Sequence, residues 1–517
     1  MLFHLVILLP FLQCFVTAQE NARAQQHADR GFQLAQQGDF KGAENELRRA
    51  VDLAPSEPQF LAGLGGVLGT QQKLEQAQIY FEKALKLEPQ NLMYRRNLAA
   101  NQWQLGRLEP AKDNLEHILK VKPDDEPTIL LLGMVMENLQ DYSRAAALLG
   151  SIPVLVKQRP ESLTALARAY FRTNQREKAR ATLDILQQHP AGALGVFMGG
   201  RVAAEIGDYE TAERLFESIR SSYSDTRTLG YNLALVQYRS GRLRESQQTL
   251  EGLIAAGDLN SDIYNLLGWC YQKQDKRKEA RQALEQAIQL DSSKESNYLD
   301  LAMILAGNRQ LAAALAVSED NVERHPNSYL AQVMKGLIEL RMDQFTGAVR
   351  SYGRAVELDA SSPEAYRGLA VAQFAAGMAA EAKSTFEGAL QKFPQDGLLY
   401  QEYGKMLLRF GETGDTAAES RGMELLTTAL KLDDSLSEPH YYLGNLALKR
   451  GKASEAVRHF EEAARLDSKS SRNSYALARA YRRLGRAGDA NRQIQRYKEL
   501  KAEEENSAYF LDFLRGN

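Results

Sequence analysis

Two short apolar stripes alternate along the chain, and the pair recurs about every 34 residues. In residues 59–89 the first stripe has apolar or small residues three and four apart, and the polar stretch 70–73 interrupts it. The second stripe has the same spacing and ends at Glu88-Pro89. This spacing is typical of one face of an α-helix. The pattern therefore predicts two helices of about 12–15 residues in each repeat, each of them marginal without its neighbour.

A small residue in the second helix defines the period. It recurs in steps of 34 residues, apart from one step of 33 and one of 40, at Ala43, Ala77, Ala111, Ala145, Ala179, Ala212, Ser246, Ala280, Ala314, Ala348, Ala382, Gly422, Ala456 and Ala490. Another Gly or Ala stands twelve residues earlier in every repeat except the one at Gly422, where Gly404 stands eighteen earlier. Because both positions are small, we expect the two helices to approach closely once per repeat.

These positions resemble the signature of the tetratricopeptide repeat family. The second repeat carries it as Leu61, Leu64-Gly65, Leu68, Ala77, Phe81, Ala84 and Pro89. About fourteen repeats match in phase between Gln25 and Lys498, and such self-similarity is the mark of a solenoid. The resemblance implies an all-α, right-handed superhelical solenoid of about fourteen helix-turn-helix repeats, with the first helices lining a concave groove.

The predicted organisation is a signal peptide at 1–18, a solenoid at 19–498 and a C-terminal capping helix or tail at 499–517. Two repeats depart from the pattern. The ninth has Ser318 and Asn321 where a large apolar residue and an Ala are expected, so we expect its second helix to pack least well. The twelfth has about six extra residues near 411–418, which we expect to form a polar loop between its helices.

The N-terminal segment predicts export. Leu5 to Phe15 is an apolar run, and Val16-Thr17-Ala18 after it is typical of a cleavage site, so we expect a periplasmic or secreted protein cut after Ala18. No Lys or Arg precedes the run, and the alternatives are a retained N-terminal membrane anchor and a lipid-modified Cys14. Cleavage would leave Cys270 as the one cysteine, in an apolar stretch typical of a buried thiol.

Composition and motifs argue against catalysis. The seven histidines are scattered without the i, i+4 spacing of a helical zinc site, and no phosphate-binding loop occurs. Lys and Arg total 64 against 66 Asp and Glu, so the charge balance favours no nucleic acid. The repeats also account for nearly the whole length. We therefore expect no enzyme, no cofactor and no metal.

Groove positions in the last repeats give the candidate site. In the family, residues 5, 9 and 12 of each repeat face the groove, and Arg465 to Lys498 holds ten basic residues against two acidic ones. Arginine, lysine, asparagine and tyrosine side chains suit an acidic peptide through charge-assisted hydrogen bonds. The predicted peptide-binding residues are Lys405, Tyr441, Asn445, Tyr475, Arg479 and Arg482.

The function predicted from the sequence is a non-catalytic scaffold that binds a segment of a partner protein, within a peripheral complex of the cell envelope. Two alternatives remain open: a targeting or regulatory subunit of a separately encoded enzyme, and a periplasmic connector in a secretion or polysaccharide-export assembly. The apolar tail 509–514 either caps the last repeat or docks a partner.

Overall fold

The chain folds into α-helices joined by short turns. The computed structural model describes the backbone of residues 5–189, 191–412 and 414–506, and the side chains of residues 20–189, 191–410 and 414–503. No β-strand occurs in these ranges. The chain divides into two compact units, Met1–Arg242 and Leu243–Asn517. The boundary between them lies inside the seventh repeat.

The N-terminal unit contains helices α1 to α14 and, after α11, a 3₁₀ turn at Leu186–Gln188. The helices are α1 Leu5–Gln36, α2 Phe40–Leu53, α3 Pro58–Thr70, α4 Leu74–Leu87, α5 Leu92–Gln104, α6 Leu108–Val121, α7 Glu126–Asn138, α8 Tyr142–Ser151, α9 Pro153–Val156, α10 Pro160–Arg172, α11 Arg176–Ile185, α12 Ala193–Glu205, α13 Tyr209–Ser218 and α14 Thr226–Arg239.

The C-terminal unit contains helices α15 to α29 in its described part. They are α15 Leu243–Ala255, α16 Ser261–Lys273, α17 Arg277–Leu290, α18 Glu295–Gly307, α19 Leu311–Arg324, α20 Tyr329–Arg341, α21 Phe345–Leu358, α22 Pro363–Ala375, α23 Ala379–Lys392, α24 Gly397–Glu412, α25 Thr416–Leu432, α26 Ser437–Lys449, α27 Ala453–Leu466, α28 Ser471–Arg483 and α29 Ala487–Asn506.

Consecutive helices form hairpins, and the hairpins stack within each unit. α3 packs against α4 to form the second repeat, and α4 then contacts α5 of the third repeat. The same alternation links α16, α17 and α18 in the C-terminal unit. Buried apolar residues form a row of clusters, because each repeat packs only on its neighbours. The predicted all-α solenoid of helix-turn-helix repeats is confirmed within each unit.

The recurring small residues lie where the two helices of a repeat are closest. Ala77 is fully buried on α4. A β-carbon built on Gly65 would lie 2.9 Å from the Phe81 ring, and one on Gly200 would lie 2.5 Å from the Phe216 ring. Each ring stands four residues after the small residue of the second helix. The expected close approach is therefore present, and a large side chain fills the space in front of the glycine.

In the twelfth repeat the two backbones themselves meet. A β-carbon on Gly404 would lie 3.0 Å from the carbonyl oxygen of Gly422, and the reverse distance is also 3.0 Å. Helix α24 has 16 residues and α25 has 17, against 13 and 14 for α3 and α4. Three added residues in each helix account for the six extra residues. The prediction of a polar loop near 411–418 is therefore wrong, because the helices extend and satisfy the added backbone groups themselves.

The turn after the first helix of most repeats contains one residue in the left-handed conformation. It is glycine in several repeats, such as Gly106 with φ 73°. Elsewhere it is not glycine, with φ between 57° and 62°, at Gln72, Gln140, Asn174, Asp275, Arg309 and Asp343. This conformation costs a non-glycine residue roughly 1–2 kcal/mol. The position is thus regular in the structure although the residue type varies in the sequence.

The ninth repeat contains buried polar atoms without partners. Ser318 and Asn321 on α19 are both 1% exposed. Among the described residues, Ser318 Oγ, Asn321 Oδ1 and His325 Nε2 find no hydrogen-bond partner. An unsatisfied buried polar group costs roughly 1–3 kcal/mol. The three atoms lie along one side of α19 and of His325, the residue that follows it; that this second helix packs least well stays a prediction.

Parts of both termini lie outside the described residues. These include the side chains of the predicted signal peptide 1–18 and the whole of the apolar tail 509–514. Helix α29 extends to Asn506, and Leu500, within the predicted capping segment, is 1% exposed. Of the helices whose residues are described, none combines the length and apolarity needed to cross a membrane.

Two adjacent glycines of α3 should respond oppositely to alanine. Gly65→Ala should destabilise the protein by about 1 kcal/mol, since the new methyl overlaps the buried Phe81 ring. Gly66→Ala should stabilise it by about 0.5–1 kcal/mol through helix propensity, because Gly66 is exposed with no atom near its β-carbon position. Hydrogen exchange of α3 and α4 measures both effects, and equal stabilisation by the two variants would contradict this packing.

Restoring the repeat pattern in α19 should stabilise the ninth repeat. Ser318→Leu and Asn321→Ala should each add about 1–3 kcal/mol, because each removes an unpartnered buried polar group. Hydrogen exchange of α18 and α19 is the measurement. Ser351→Ala is the matched control: Ser351 is also buried, but it donates to Glu339 Oε2 at 2.7 Å, so its loss should destabilise. A gain in stability from that control would undermine the explanation.

Candidate functional site

The six predicted binding residues lie on the first helices of the last three repeats. Lys405 is on α24, Tyr441 and Asn445 are on α26, and Arg479 is on α28, together with Tyr475 and Arg482. We call the surface formed by the first helices of successive repeats the first-helix face. Some charged residues of this face form ion pairs that could not be predicted from the sequence alone.

Lys405 is already matched by two carboxylates. Its Nζ lies 2.8 Å from Glu402 Oε1 and 2.6 Å from Glu438 Oε2. Burial lowers the pKa of Lys405, but the two carboxylates outweigh burial and hold the pKa above its ordinary value. Burial likewise raises the pKa of Glu438, and its cationic neighbours Lys405 and Arg472 reverse that effect. Lys405 is therefore a structural cation, and its charge is not available to an acidic partner.

Tyr441 and Asn445 belong to the same network. The Arg472 guanidinium lies over the Tyr441 ring, 4.1 Å from its centroid, and Arg472 Nη2 is 3.0 Å from Glu438 Oε1. Asn445 Nδ2 donates to the backbone oxygen of Tyr441 at 3.0 Å. Glu438 thus bridges cations of α24 and α28 from its place on α26. The network fixes three successive first helices relative to one another.

The cations of α28 differ from Lys405. Arg479 and Arg482 are exposed, and neither forms an ion pair with any residue in the described ranges. Tyr475 is 45% exposed, and its ring packs 5.2 Å from that of Tyr497 on α29. Of the six candidates, these two arginines alone carry charge that stays unmatched within the described residues.

A cavity on the first-helix face of the N-terminal unit was missed by the sequence analysis. It measures about 600 Å³ and lies among α10, α12, the start of α13 and α14. Its charged lining residues are Arg168, Arg201, Glu205 and Arg239. Its apolar lining includes Met198, Val202, Leu235 and Val236. Cavities of this size with apolar walls and a few polar groups are typical of ligand sites.

The three arginines of the cavity are not equivalent. Arg168 forms ion pairs with Glu137 and, at 3.2 Å, with Glu205. Burial lowers the pKa of Arg168, but these carboxylates outweigh it and the pKa is raised. Arg201 and Arg239 are exposed and form no ion pair with a described residue. Arg168 therefore neutralises Glu205 and joins α7, α10 and α12, whereas Arg201 and Arg239 stay available.

The repeat register contained a signal for this cavity. Arg168 and Arg201 occupy position 9 of the fifth and sixth repeats, which the family resemblance places in the groove. That rule was applied to the last repeats, where basic residues are concentrated in the sequence. The pairing of Arg168 could not have been read in this way, because Glu137 and Glu205 come from the repeats on either side.

Two histidines that are far apart in the sequence meet in the thirteenth repeat. Nδ1 of His440 on α26 lies 3.1 Å from Nδ1 of His459 on α27. One ring must donate and the other accept, so the pair holds together while at least one ring is neutral. Burial lowers the pKa of both rings. No group of three or more metal-ligating side chains lies within the described part of the chain.

Family models match the chain in five segments. The Tetratricopeptide Repeats-Sensor model matches residues 208–293, and three tetratricopeptide repeat models match residues 33–91 and 333–397, 437–470, and 160–184. The chain belongs to the tetratricopeptide repeat (TPR) family. The first helix of each hairpin is therefore the first helix of a TPR, and the resemblance stated from the residues is confirmed.

Three curated proteins resemble this TPR chain at low identity. Protein CTR9 homolog of Arabidopsis thaliana is 19% identical over 343 residues, which are 63% of this chain and 31% of that protein. TPR repeat-containing protein MJ1428 of Methanocaldococcus jannaschii is 20% identical over 401 residues, 74% of this chain and 65% of that protein. RNA polymerase-associated protein CTR9 of Caenorhabditis elegans is 21% identical over 346 residues, which are 62% of this chain and 30% of that protein. The chain spans less than two thirds of each relative.

Solved structures with similar helical repeats include yeast Tom70, at 14% identity and a TM-score of 0.41, covering 96% of this chain and 99% of that one. The Cut9–Hcn1 hetero-tetramer of the APC/C matches at 13% identity and a TM-score of 0.37, with coverages of 89% and 96%. PilF of Pseudomonas aeruginosa matches at 20% identity and a TM-score of 0.35, covering 43% of this chain and 99% of that one. With TM-scores below 0.5, these likenesses support no argument about partners.

The histidine pair should make the thirteenth TPR sensitive to acid. The folded pKa values lie below the ordinary value of 6.5, so the unfolded chain binds more protons as the pH falls. The contribution to stability is therefore present above pH 6.5 and is lost as the pH decreases below it. Glu462 and Glu455 oppose this shift at His440 and His459 respectively, whereas Arg465 and Arg458 reinforce it.

His440→Tyr tests this dependence. The eighth and eleventh TPRs have Tyr264 and Tyr366 at the equivalent position, so the variant should fold. Between pH 7.5 and pH 5, the variant should lose less thermal stability than the wild type, because it lacks the histidine pair whose pKa values burial lowers. Thermal unfolding at the two pH values is the measurement. The same loss in both proteins would show that the pair does not control the acid response.

Proposed function

We propose that this TPR protein is a non-catalytic scaffold that binds a linear segment of a partner protein on its first-helix face. One observation carries the proposal: the cavity of about 600 Å³ among α10, α12 and α14. It crosses the first helices of three successive TPRs, so an extended segment lying over it would contact several repeats. Repeated contacts of this kind give affinity without a single deep pocket.

The arrangement of the groups supports binding over chemistry. The cavity is lined by arginines and apolar residues, and its carboxylate, Glu205, is held by Arg168 and lies 3.8 Å from Arg172. The unmatched guanidiniums of Arg201 and Arg239 suit recognition, because an arginine does not give up its proton in a protein. A scaffold needs shape, charge and exposed donors, and this face supplies all three.

The cellular setting that we propose is the cell envelope, where the scaffold would belong to a peripheral complex. This part of the proposal rests on the apolar run from Leu5 to Phe15 and on the small residues that end at Ala18. The intact mass of the purified natural protein tests it, since cleavage after Ala18 removes a defined mass. An uncleaved, membrane-extracted chain would favour the N-terminal anchor.

Site-specific photocrosslinking tests the binding face. A photoreactive phenylalanine derivative at Met198 or Leu235, both in the cavity lining, should give adducts with one recurrent linear segment of a partner, identified by mass spectrometry. The same group at Ala181, an exposed position on α11, is the matched control and should give none. Adducts at Ala181 alone, or at none of the three positions, would contradict the proposed binding face.

A fourth photoreactive position separates the two parts of the chain. Tyr475 on α28 lies beside the unmatched Arg479, on the surface predicted from the last repeats. Adducts at Tyr475 without adducts at Met198 or Leu235 would assign binding to the last TPR. Adducts at Met198 and Leu235 without adducts at Tyr475 would assign it to the cavity, as the structure favours.

A further inference from the structure

We propose that the cavity among α10, α12 and α14 recognises a linear peptide segment in which two acidic side chains flank an apolar one. This inference deepens the proposed function and rests on it. The occupant has a defined chemistry: carboxylates for Arg201 and Arg239, and a large apolar side chain for the apolar lining residues of the same two helices.

The cavity lining has an excess of positive charge. Arg168, Arg201 and Arg239 line the cavity, against the single carboxylate of Glu205. Arg168 binds Glu205 on one side and Glu137 on the other, and Glu205 forms no ion pair with Arg201 or Arg239. The cavity therefore keeps two cations that no described carboxylate neutralises. An anionic occupant would provide the negative charge that pairs with these two arginines.

The two unmatched arginines lie on different helices of the cavity. Arg201 lies on α12 and Arg239 lies on α14, so they come from adjacent first helices. Each is exposed, and each presents a planar fork of donors suited to a carboxylate. Two carboxylates carried by one chain can bind both arginines at once.

The cavity also has an apolar wall, formed by four lining residues. Met198, Val202, Leu235 and Val236 belong to the same two helices as the arginines. Val202 and Val236 are almost fully buried, whereas Met198 and Leu235 are partly exposed and can be covered. Burying a large apolar side chain of the peptide there would add hydrophobic stabilisation to that of the ion pairs. We therefore expect the bound peptide to carry an apolar side chain next to its acidic side chains.

The same features argue against a nucleic acid. A phosphate backbone is bound by a continuous stripe of unmatched basic residues, and binding grows with the number of phosphates contacted. Here two of the three arginines are unmatched, the cavity contains a carboxylate, and the whole chain has a net charge of −2. An acidic and apolar peptide matches the lining better than a polyphosphate does.

Arg168 has a different role from the other two arginines. It is a positioning residue, because its ion pairs connect α7, α10 and α12 and hold Glu205 in place. Without it, Glu205 would keep only its longer contact with Arg172, at 3.8 Å. The binding test therefore leaves Arg168 unchanged and alters the two unmatched arginines.

Peptide selection followed by charge reversal tests the inference. A displayed library of 12-residue peptides is selected on the full chain, and the winning peptide is synthesised for fluorescence anisotropy. The selected peptides should contain Asp or Glu on both sides of a large apolar residue. Arg201→Glu with Arg239→Glu should weaken the winner at least about tenfold, since charge-assisted pairs are lost and repulsion replaces them.

The control is Arg159→Glu with Arg176→Glu. Both residues are exposed arginines of the same unit, outside the cavity and without an ion pair to a described residue. The control makes the same change in net charge, and it should alter affinity less than about twofold if local pairing, and not long-range attraction, is responsible. Thermal unfolding of both double variants confirms that they fold.

A charge swap makes the test decisive. The winning peptide with Lys in place of its acidic residues should bind the Arg201→Glu, Arg239→Glu variant better than the wild type. Peptides selected without acidic residues, or equal losses in the variant and the control, would overturn the inference. So would a loss caused by Arg479→Glu with Arg482→Glu alone, or tighter binding of a labelled oligonucleotide than of the peptide.

The outcome also separates this inference from the proposed function. If crosslinks map a partner to Met198 and Leu235 while charge reversal changes nothing, the scaffold function stands and the acidic chemistry is wrong. If neither crosslinks nor selected peptides are obtained at the cavity, both proposals fail.

Discussion

Most repeats depend on the contact between a large side chain of the second helix and a small residue of the first. The ring of Phe216 lies over Gly200, and the ring of Phe460 lies over Gly444, with no room for a β-carbon between them. Short helices are marginal alone, so this contact supplies what local propensity lacks. Because it recurs in every hairpin of this kind, the fold tolerates changes elsewhere, such as the lengthened helices α24 and α25.

The same stacking brings charged residues of neighbouring first helices within reach of one another. Glu438 is paired with cations from the repeats on both sides, and Arg168 is paired with carboxylates from the repeats on both sides. These inter-repeat pairs hold the first helices in place and use up part of the charge on that face. Among the described residues, the charges that stay unmatched on this face include Arg201 and Arg239 in one unit and Arg479 and Arg482 in the other.

Irregular repeats mark where the pattern is relaxed. The ninth repeat buries Ser318 and Asn321 without partners, whereas the tenth buries Ser351 with a partner in Glu339. A buried hydroxyl is thus costly in the ninth repeat and tolerated at little cost in the tenth. Stability along a solenoid is a sum over repeats and interfaces, so such local weaknesses add up without spreading.

The sequence by itself determined the helix pairs, their period and the buried small residues, because these follow from local spacing and from the size of single side chains. It also placed Lys405 on the first-helix face through the repeat register. Only the tertiary structure decided which cations remain unmatched, since their carboxylate partners Glu438, Glu137 and Glu205 come from adjacent repeats. The cavity and the histidine pair were likewise decided by tertiary contacts, because the cavity lining comes from three successive repeats and the two histidines lie 19 residues apart along the chain.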